Sequence, residues 1–290
     1  MAIVPLLPLL NGLIIGEMKK ACFITTLSIY GKGHRQRLRP LKEFYDRQGW
    51  DTCWTNPSAE DKEKQLKDCD HVYIWNGSDD ASRDISWFAR SLGSRLFCME
   101  NGHFPQGEYN IIAEGGLYGR HPGLNEDWDS ILCESDWTKF KEARLKLEIW
   151  RNPIRNVLVP IQVDSDVTVV KYGNGYTNKD LVSADLGFDK WIRNHPKGRR
   201  YSRDAHTDDR PNLKQVLGSY DHVFGINSTV IYEAKLMGLD VTALGQSYLD
   251  WHVDPDVSIC ALFAMQIPIN TEDFSPWIRR GLGLDHLLHL

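Results

Sequence analysis

Short apolar runs closed by turn residues alternate along this chain with amphipathic stretches, and that alternation restricts the fold more than any other feature of the sequence. ACFITTLSIY, beginning at Ala21, reads as a buried strand that runs into the small, basic segment GKGHRQRLRP, read as a loop, and then into the helical stretch LKEFYDRQG. The pattern repeats: DHVYIWNG is strand and turn, ASRDISWFARSLG is a helix stopped by glycine, and RLFCMENG is a strand ending in polar residues. A second series starts at NVLVPIQV and passes through a stretch read as helical near KDLVSADLGFDKWI. It continues with the strand DHVFGI, the helix STVIYEAKLMG and the strand DVTAL. Strands that alternate with helices pair in parallel, so the expected fold class is α/β, with two Rossmann-like units built on parallel sheets.

The chain has 290 residues, which suits two domains of roughly 100 to 200 residues each. RNPIRN, from Arg151 to Asn156, interrupts a charged amphipathic stretch with a proline and marks the boundary. The expected division is an N-terminal extension over 1–17, a first domain over 18–153 and a second over 154–290. The second domain closes on SPWIRRGLGLDHLLHL, a helical segment expected to cross back onto the first. The opening MAIVPLLPLLNGLIIG is apolar but shorter than the roughly 20 residues that span a bilayer, carries two prolines and lacks a positive flank. No integral membrane segment is assigned. Six cysteines are widely spread without a C-x-x-C pair, so they are read as reduced core thiols of a cytoplasmic protein rather than as a zinc ribbon or redox dithiol. A net charge of −5 argues against nonspecific attraction to polyanions and leaves room for a local basic groove.

The segment FGINSTVIYEAKLMG carries the most chemistry. A buried strand ends at Asn227, and Ser228 with Thr229 opens a helix whose free N–H groups and dipole make an anion site. Glu233, five residues beyond Ser228, is within reach of a ribose hydroxyl; a capping serine and a solvated glutamate would give the same pattern. Upstream, IRNHPKGRR holds His195 against Pro196 among Arg193, Lys197, Arg199 and Arg200, as a phosphate receptor or as a solvated basic loop. Open parallel sheets bind ligands beyond the carboxyl ends of their strands, which directs attention to Lys32, His34, Arg35, Asn76, Glu100 and His103. The basic segment after the first strand matches neither the P-loop nor the dinucleotide fingerprint, and its cations suit an anionic acceptor, either a lipid phosphate or a nucleic-acid backbone. Asp164-Ser165-Asp166 and Asp127-Trp128-Asp129 have the D-x-D spacing of cation-binding glycosyltransferases. The better phosphate signals lie elsewhere, so no metal site is assigned.

Four of these segments, taken in order, resemble the capsule polysaccharide biosynthesis family, which includes bacterial transferases of the sugar acid Kdo and has distant relatives among sialyltransferases. VLVPIQVDSD resembles the family's apolar strand ending in Pro, an aliphatic residue, Gln and then Asp, and His195-Pro196 resembles its His-Pro element. Ser228-Thr229 followed by Glu233-Ala234 is similar to its phosphate-binding helix, and Glu100-Asn101-Gly102 to its acidic turn. The resemblance runs between Phe97 and Gly245 and implies a GT-B-like architecture with metal-independent transfer from a CMP-activated sugar acid. It implies a donor site of Gln162, His195, Lys197, Asn227, Ser228, Thr229 and Glu233 in the second domain. The acceptor side, read from the residues themselves, is Lys32, His34 and Arg35 in the first domain, with His103 as a weaker base candidate or a structural histidine. Glu100 is the expected catalytic carboxylate, as base or nucleophile, with Glu114 beside Gly115 and Gly116 as its competitor. Many relatives have Asp where this chain has Asn101, a departure that puts the nucleophile in question.

No cofactor is expected. The nucleotide-sugar is a substrate, with a CMP-sugar favoured over a UDP-sugar. The expected partners are that donor and a glycan or lipid-linked acceptor. Two alternatives stand: transfer to a hydroxymethylated base in DNA, which must be exposed from the duplex, and a non-catalytic nucleotide- or glycan-binding protein of the same fold.

Overall fold

The computed structural model describes residues 19–25, 31–75, 80–104, 107–116, 125–187, 189–198, 200–201 and 206–278. The expected extension over 1–17, Asn76, Arg199, the end of the chain after 278 and the side chain of Lys32 lie outside that set. The first half runs β1 (Lys20–Ile24), α1 (Gly31–Arg47), β2 (Asp51–Thr55), α2 (Lys62–Leu66), β3 (His71–Trp75), α3 (Asp80–Ser91), β4 (Arg95–Asn101) and β5 (Tyr109–Glu114). Helices α4 (Trp128–Ile131) and α5 (Glu134–Glu148) lead into β6 (Arg155–Pro160), α6 (Val167–Tyr172), α7 (Asn178–Ser183), β7 (Lys190–Arg193) and β8 (His206–Thr207). Then come α8 (Leu213–Leu217), β9 (Tyr220–Gly225), α9 (Thr229–Leu236), β10 (Asp240–Ala243), α10 (Pro255–Met265), β11 (Ile267–Pro268) and α11 (Ser275–Ile278).

These strands form two sheets, of order β11-β5-β4-β3-β1-β2 and β10-β9-β6-β7-β8. The second is parallel throughout, and β1, β2, β3 and β4 of the first are parallel as well. The expected α/β class with parallel sheets is what the chain adopts. In the second sheet the first strand, β6, sits between β7 and β9, so the strand order reverses there. A crevice opens beyond the carboxyl ends of strands at such a reversal, and Gln162 and Asn227 follow β6 and β9 at that place.

The chain departs from the sequence reading at several points. GKGHRQRLRP is not a loop: α1 starts at Gly31 and runs through Pro40. Proline removes one helical hydrogen bond, but Leu38, Leu41, Phe44 and Tyr45 share one buried face and hold the helix across it. The stretch near KDLVSADLGFDKWI is helical only over Asn178–Ser183, and Lys190–Arg193 is a strand beside β6, because Ile192 belongs to the sheet core. Strand β5 pairs antiparallel with β4, since the connection over 102–108 is too short for a crossover, and β11 pairs antiparallel with β5. Cys133 is not a core thiol; it is exposed at the start of α5.

The two halves share a core. Cys22, Ile24 and Ile74 of the first sheet belong to the same apolar cluster as Tyr232, Leu236, Tyr248, Trp251 and α10. Arg144 on α5 pairs with Asp256 at the start of α10 and donates to the Lys235 and Leu236 carbonyls that end α9. After α10 the chain returns to the first sheet through β11, and Phe274 packs on Phe44 with ring centroids 5.4 Å apart. No helix among the described residues is long and apolar enough to cross a membrane.

Candidate active site

Glu100 and Asn101 end β4, and the turn that follows is shaped by close approach. A Cβ on Gly102 would lie 2.6 Å from both Gln266 Oε1 and Tyr109 Cβ, so only glycine fits there. The same Gln266 oxygen accepts hydrogen bonds from the His103 and Phe104 amides. This ties the end of β4 to the end of α10. Arg37 of α1 donates to the carbonyls of Gly107 and Tyr109 and to Asn110 Oδ1, bracing the turn from the other side.

Glu100 is half-buried, and its hydrogen bonds, from the Asn101 amide and Nδ2, both end on Oε1. Burial raises its carboxyl to about 7; Asp166 adds to the rise, while the Asn101 bonds and Arg37 oppose it. Asp166 stands on the other half of the molecule, at the start of α6, and its field also reaches His195. The charge of Asp166 thus acts on one group from each half, Glu100 and His195. The His195 Nδ1 accepts from the Lys197 amide at 3.1 Å, which leaves Nε2 as the ring's donor. Its burial lowers the imidazole pKa.

The strand ends of the second sheet are locked to each other. Gln162 donates from Nε2 to Thr168 Oγ1, its amide bonds Asn178 Oδ1, and its Oε1 accepts from the Asn227 amide at 3.5 Å. Asn227 in turn donates to the Thr168 carbonyl, while its Oδ1 is buried without a hydrogen-bond partner among the described residues. Ser228 caps α9, accepting from the Val230 amide at 3.3 Å. Ile231, Tyr232, Ala234 and Leu236 anchor the helix in the core, and Gly238, with φ of +84°, ends it in the left-handed conformation that favours glycine. Thr229 Oγ1 lies 3.2 Å from His103 Nδ1, so the turn after β4 in the first half and the start of α9 in the second touch directly.

Glu233, one turn further along α9, is also raised to about 7 by burial, with Lys214 and Arg193 pulling the other way. It lines a cavity of about 1150 Å³ that Lys214, Phe104, Tyr109, Gln266 and Trp277 also line, so the cavity draws walls from both halves.

Of the residues singled out in the sequence, Gln162, Asn227 and Asp166 are linked through Thr168, Ser228 and Thr229 open α9 directly after Asn227, and the charge of Asp166 acts on both Glu100 and His195. Others are placed differently. Glu114 sits at the opposite end of the β4–β5 pair, opposite Phe97, and forms a two-pronged ion pair with Arg95. His103 is buried against Tyr232 and Tyr248 rather than on an open acceptor surface, and burial lowers its pKa to about 3. His34 stacks on Trp75 at 4.6 Å and Arg35 lies over Trp54 at 4.9 Å, so both pack against the first sheet. Asp164 accepts from Asn178 and Tyr201, Asp166 caps α6, and Asp129 bonds His252. Neither D-x-D carboxylate pair is thus left without protein partners. Gln266 and Lys214 carried no signal in the sequence; their positions follow only from the return of α10 and from the loop before α8.

No protein-family model matches this chain, and no curated protein sequence matches it. Among solved structures its fold matches KpsC of Thermosulfurimonas dismutans, a β-Kdo 2,7 transferase. That match has a TM-score of 0.58 and 14% identity over 83% of this chain and 89% of that one. The β-Kdo 2,4 transferase of the same organism's KpsC matches with a TM-score of 0.57 and 13% identity, over 84% of this chain and 89% of that one. At such identity the likeness is one of fold. The chain shares its fold with these two Kdo transferases.

Proposed function

We propose that this protein is a glycosyltransferase that moves a sugar acid of the Kdo type from a CMP-sugar to a hydroxyl of a glycan or glycolipid. The observation that carries the reading is the contact of His103, just beyond Glu100, with Thr229 at the start of α9, next to the point where the strand order of the second sheet reverses. In this reading the donor phosphate lies at the start of α9, where the helix N-terminus and the His195 Nε2–H face it. The nucleoside enters the cavity beside Glu233, with Lys214 and Arg193 close to that carboxylate.

Glu100 takes the acceptor proton on its carboxylate. The acceptor oxygen then forms a bond to the anomeric carbon as the bond from that carbon to the phosphate oxygen breaks, and the nucleoside monophosphate leaves with the electron pair. Its charge is met by His195, Lys197 and the α9 amides rather than by a cation. Within the basic stretch Arg37 braces the turn after β4 and His34 stacks on Trp75, and the acceptor in this proposal is a sugar hydroxyl.

Calorimetry with CMP, UDP and GDP tests the donor assignment: CMP should bind most tightly, and His195→Ala should weaken it by about tenfold or more. Unchanged CMP affinity in that variant would remove the phosphate site from its proposed place. Excess EDTA should leave turnover of the CMP-sugar intact; loss in EDTA with recovery on Mn²⁺ would return the D-x-D residues to the mechanism.

A further inference from the structure

Three cysteines that the sequence scatters over nearly fifty residues come together at the edge of the first sheet. Cys22 on β1 and Cys53 on β2 are register partners in adjacent parallel strands, and Cys69 follows α2 at the foot of β3. Their sulfurs all lie within 4.8 Å of one another. Around a tetrahedral Zn²⁺ with Zn–S bonds of about 2.3 Å, sulfurs stand roughly 3.8 Å apart, so the cluster already has the spacing of a thiolate metal site. Cys22 is buried in the core and Cys53 is half-buried, so the site is walled on one side and open to an ion on the other.

An oxygen borders the cluster. The main-chain carbonyl of Gln65 accepts from the Cys69 thiol at 3.2 Å and from the Cys53 thiol at 3.8 Å. Gln65 also carries a buried Oε1 that has no hydrogen-bond partner among the described residues. When the thiols release their protons to solvent on binding a metal, their S–H bonds to this carbonyl disappear and the oxygen is freed to face the ion.

We propose that Cys22, Cys53 and Cys69 form a structural site for Zn²⁺, completed by an oxygen of Gln65. Binding releases the thiol protons to solvent and leaves three thiolates on one divalent cation, a single net negative charge beside Lys20, whose charge acts on both Cys53 and Cys69. A monovalent cation such as Cu⁺ would leave a second uncompensated charge in a partly buried place, which disfavours it. The metal would staple β2, the edge strand of its sheet, to β1 and to the turn before β3. It stands apart from the Glu100 and His195 junction, so it is independent of the sugar-transfer reading.

The test uses the full chain, reduced, stripped by chelator and titrated with Co²⁺ under anaerobic conditions. One equivalent should give the visible bands of tetrahedral Co²⁺ with thiolate-to-metal charge transfer in the near ultraviolet, and one equivalent of Zn²⁺ should bleach them. Cys53→Ser and Cys69→Ser should lose the charge-transfer band, while Cys133→Ser, at an exposed thiol elsewhere, should keep it. Cys22→Ser sits in the core and is not needed for the decision, because the wild-type spectrum and a Zn²⁺-dependent rise in melting temperature are read without it. Absence of a saturable charge-transfer band in the wild type, its persistence in Cys53→Ser, or a Cys22–Cys53 disulfide found by mass spectrometry would each overturn the assignment.

Discussion

Glu100 is the residue at which folding and chemistry pull in opposite directions. Its carboxyl is raised to about 7 by burial at a strand end, and a base must be ionised to accept a proton. The rate should therefore rise with pH through about 7 and level off above it. Glu100→Gln keeps the shape and removes the base, so kcat should fall by roughly 10²-fold or more while CMP affinity changes little. Glu114→Gln should keep near-normal turnover, because that carboxylate is held by Arg95 at the far end of the same strand pair. Steady-state kinetics on the two variants, side by side with CMP calorimetry, check this, and near-normal turnover in Glu100→Gln would take that residue out of the mechanism. The sequence could single out Glu100 because an apolar run stops at it. It could not separate Glu100 from Glu114, since which end of a strand a side chain occupies depends on strand direction, and β5 runs antiparallel.

At the scale of elements, the junction of β9 with α9 is the most legible part of the chain. A buried run followed by Asn, Ser and Thr has few structural outcomes, and the helix begins at Thr229 with Ser228 as its cap. The start of α1 was illegible for the opposite reason: its glycines and Pro40 carry loop signals that burial of Leu38, Leu41 and Tyr45 overrides. The bonds from Gln266 to the turn after β4 span about 160 positions and leave no local trace. The convergence of Cys22, Cys53 and Cys69 is likewise a product of strand order rather than of spacing. Ser228 itself has two roles to distinguish, capping and anion binding, and two substitutions separate them. Ser228→Ala should cost about 1 kcal/mol of stability and weaken CMP binding. Ser228→Asp keeps a capping oxygen, so stability should hold, yet its charge should repel the donor phosphate and weaken CMP binding further. Urea denaturation paired with calorimetry reads both quantities. Full CMP affinity in Ser228→Asp would mean that the helix start caps α9 and does nothing more.

Across the whole molecule the buried ionisable groups fall into two opposed sets, and their balance sets how stability follows pH. Glu100 and Glu233, one on each half, are both raised to about 7 from an ordinary 4.5. The folded state takes up their protons before the unfolded state does, so their contribution to stability falls as pH rises from about 4.5 to about 7 and stays low above that. His71 and His103 are lowered by burial to about 4 and about 3 from 6.5. For them the unfolded state binds protons first, so stability is lost as pH drops below 6.5. Asp208, lowered to about 2 even though its burial opposes that shift, is held down by Arg210 and Tyr220, and its contribution is lost at still lower pH. Between about 6.5 and 8 the glutamates act, the raised tyrosines Tyr45, Tyr73, Tyr220 and Tyr232 coming in only above about 10; between about 4.5 and 6.5 the two sets oppose; below that the histidines and Asp208 act together. Thermal stability should therefore have a broad maximum between about pH 5 and 6.5, on the acid side of the pH at which Glu100 is ionised for chemistry. Glu100→Gln removes one member of the first set, so it should gain stability at pH 8, by at most about 3 kcal/mol, and gain nothing at pH 4.5. Melting temperatures of wild type and variant across that range decide the matter. A variant that gains equally at both ends would mean that Glu100 is destabilising by its packing and not by its charge, and the elevated carboxyl would lose its place in the account of the site.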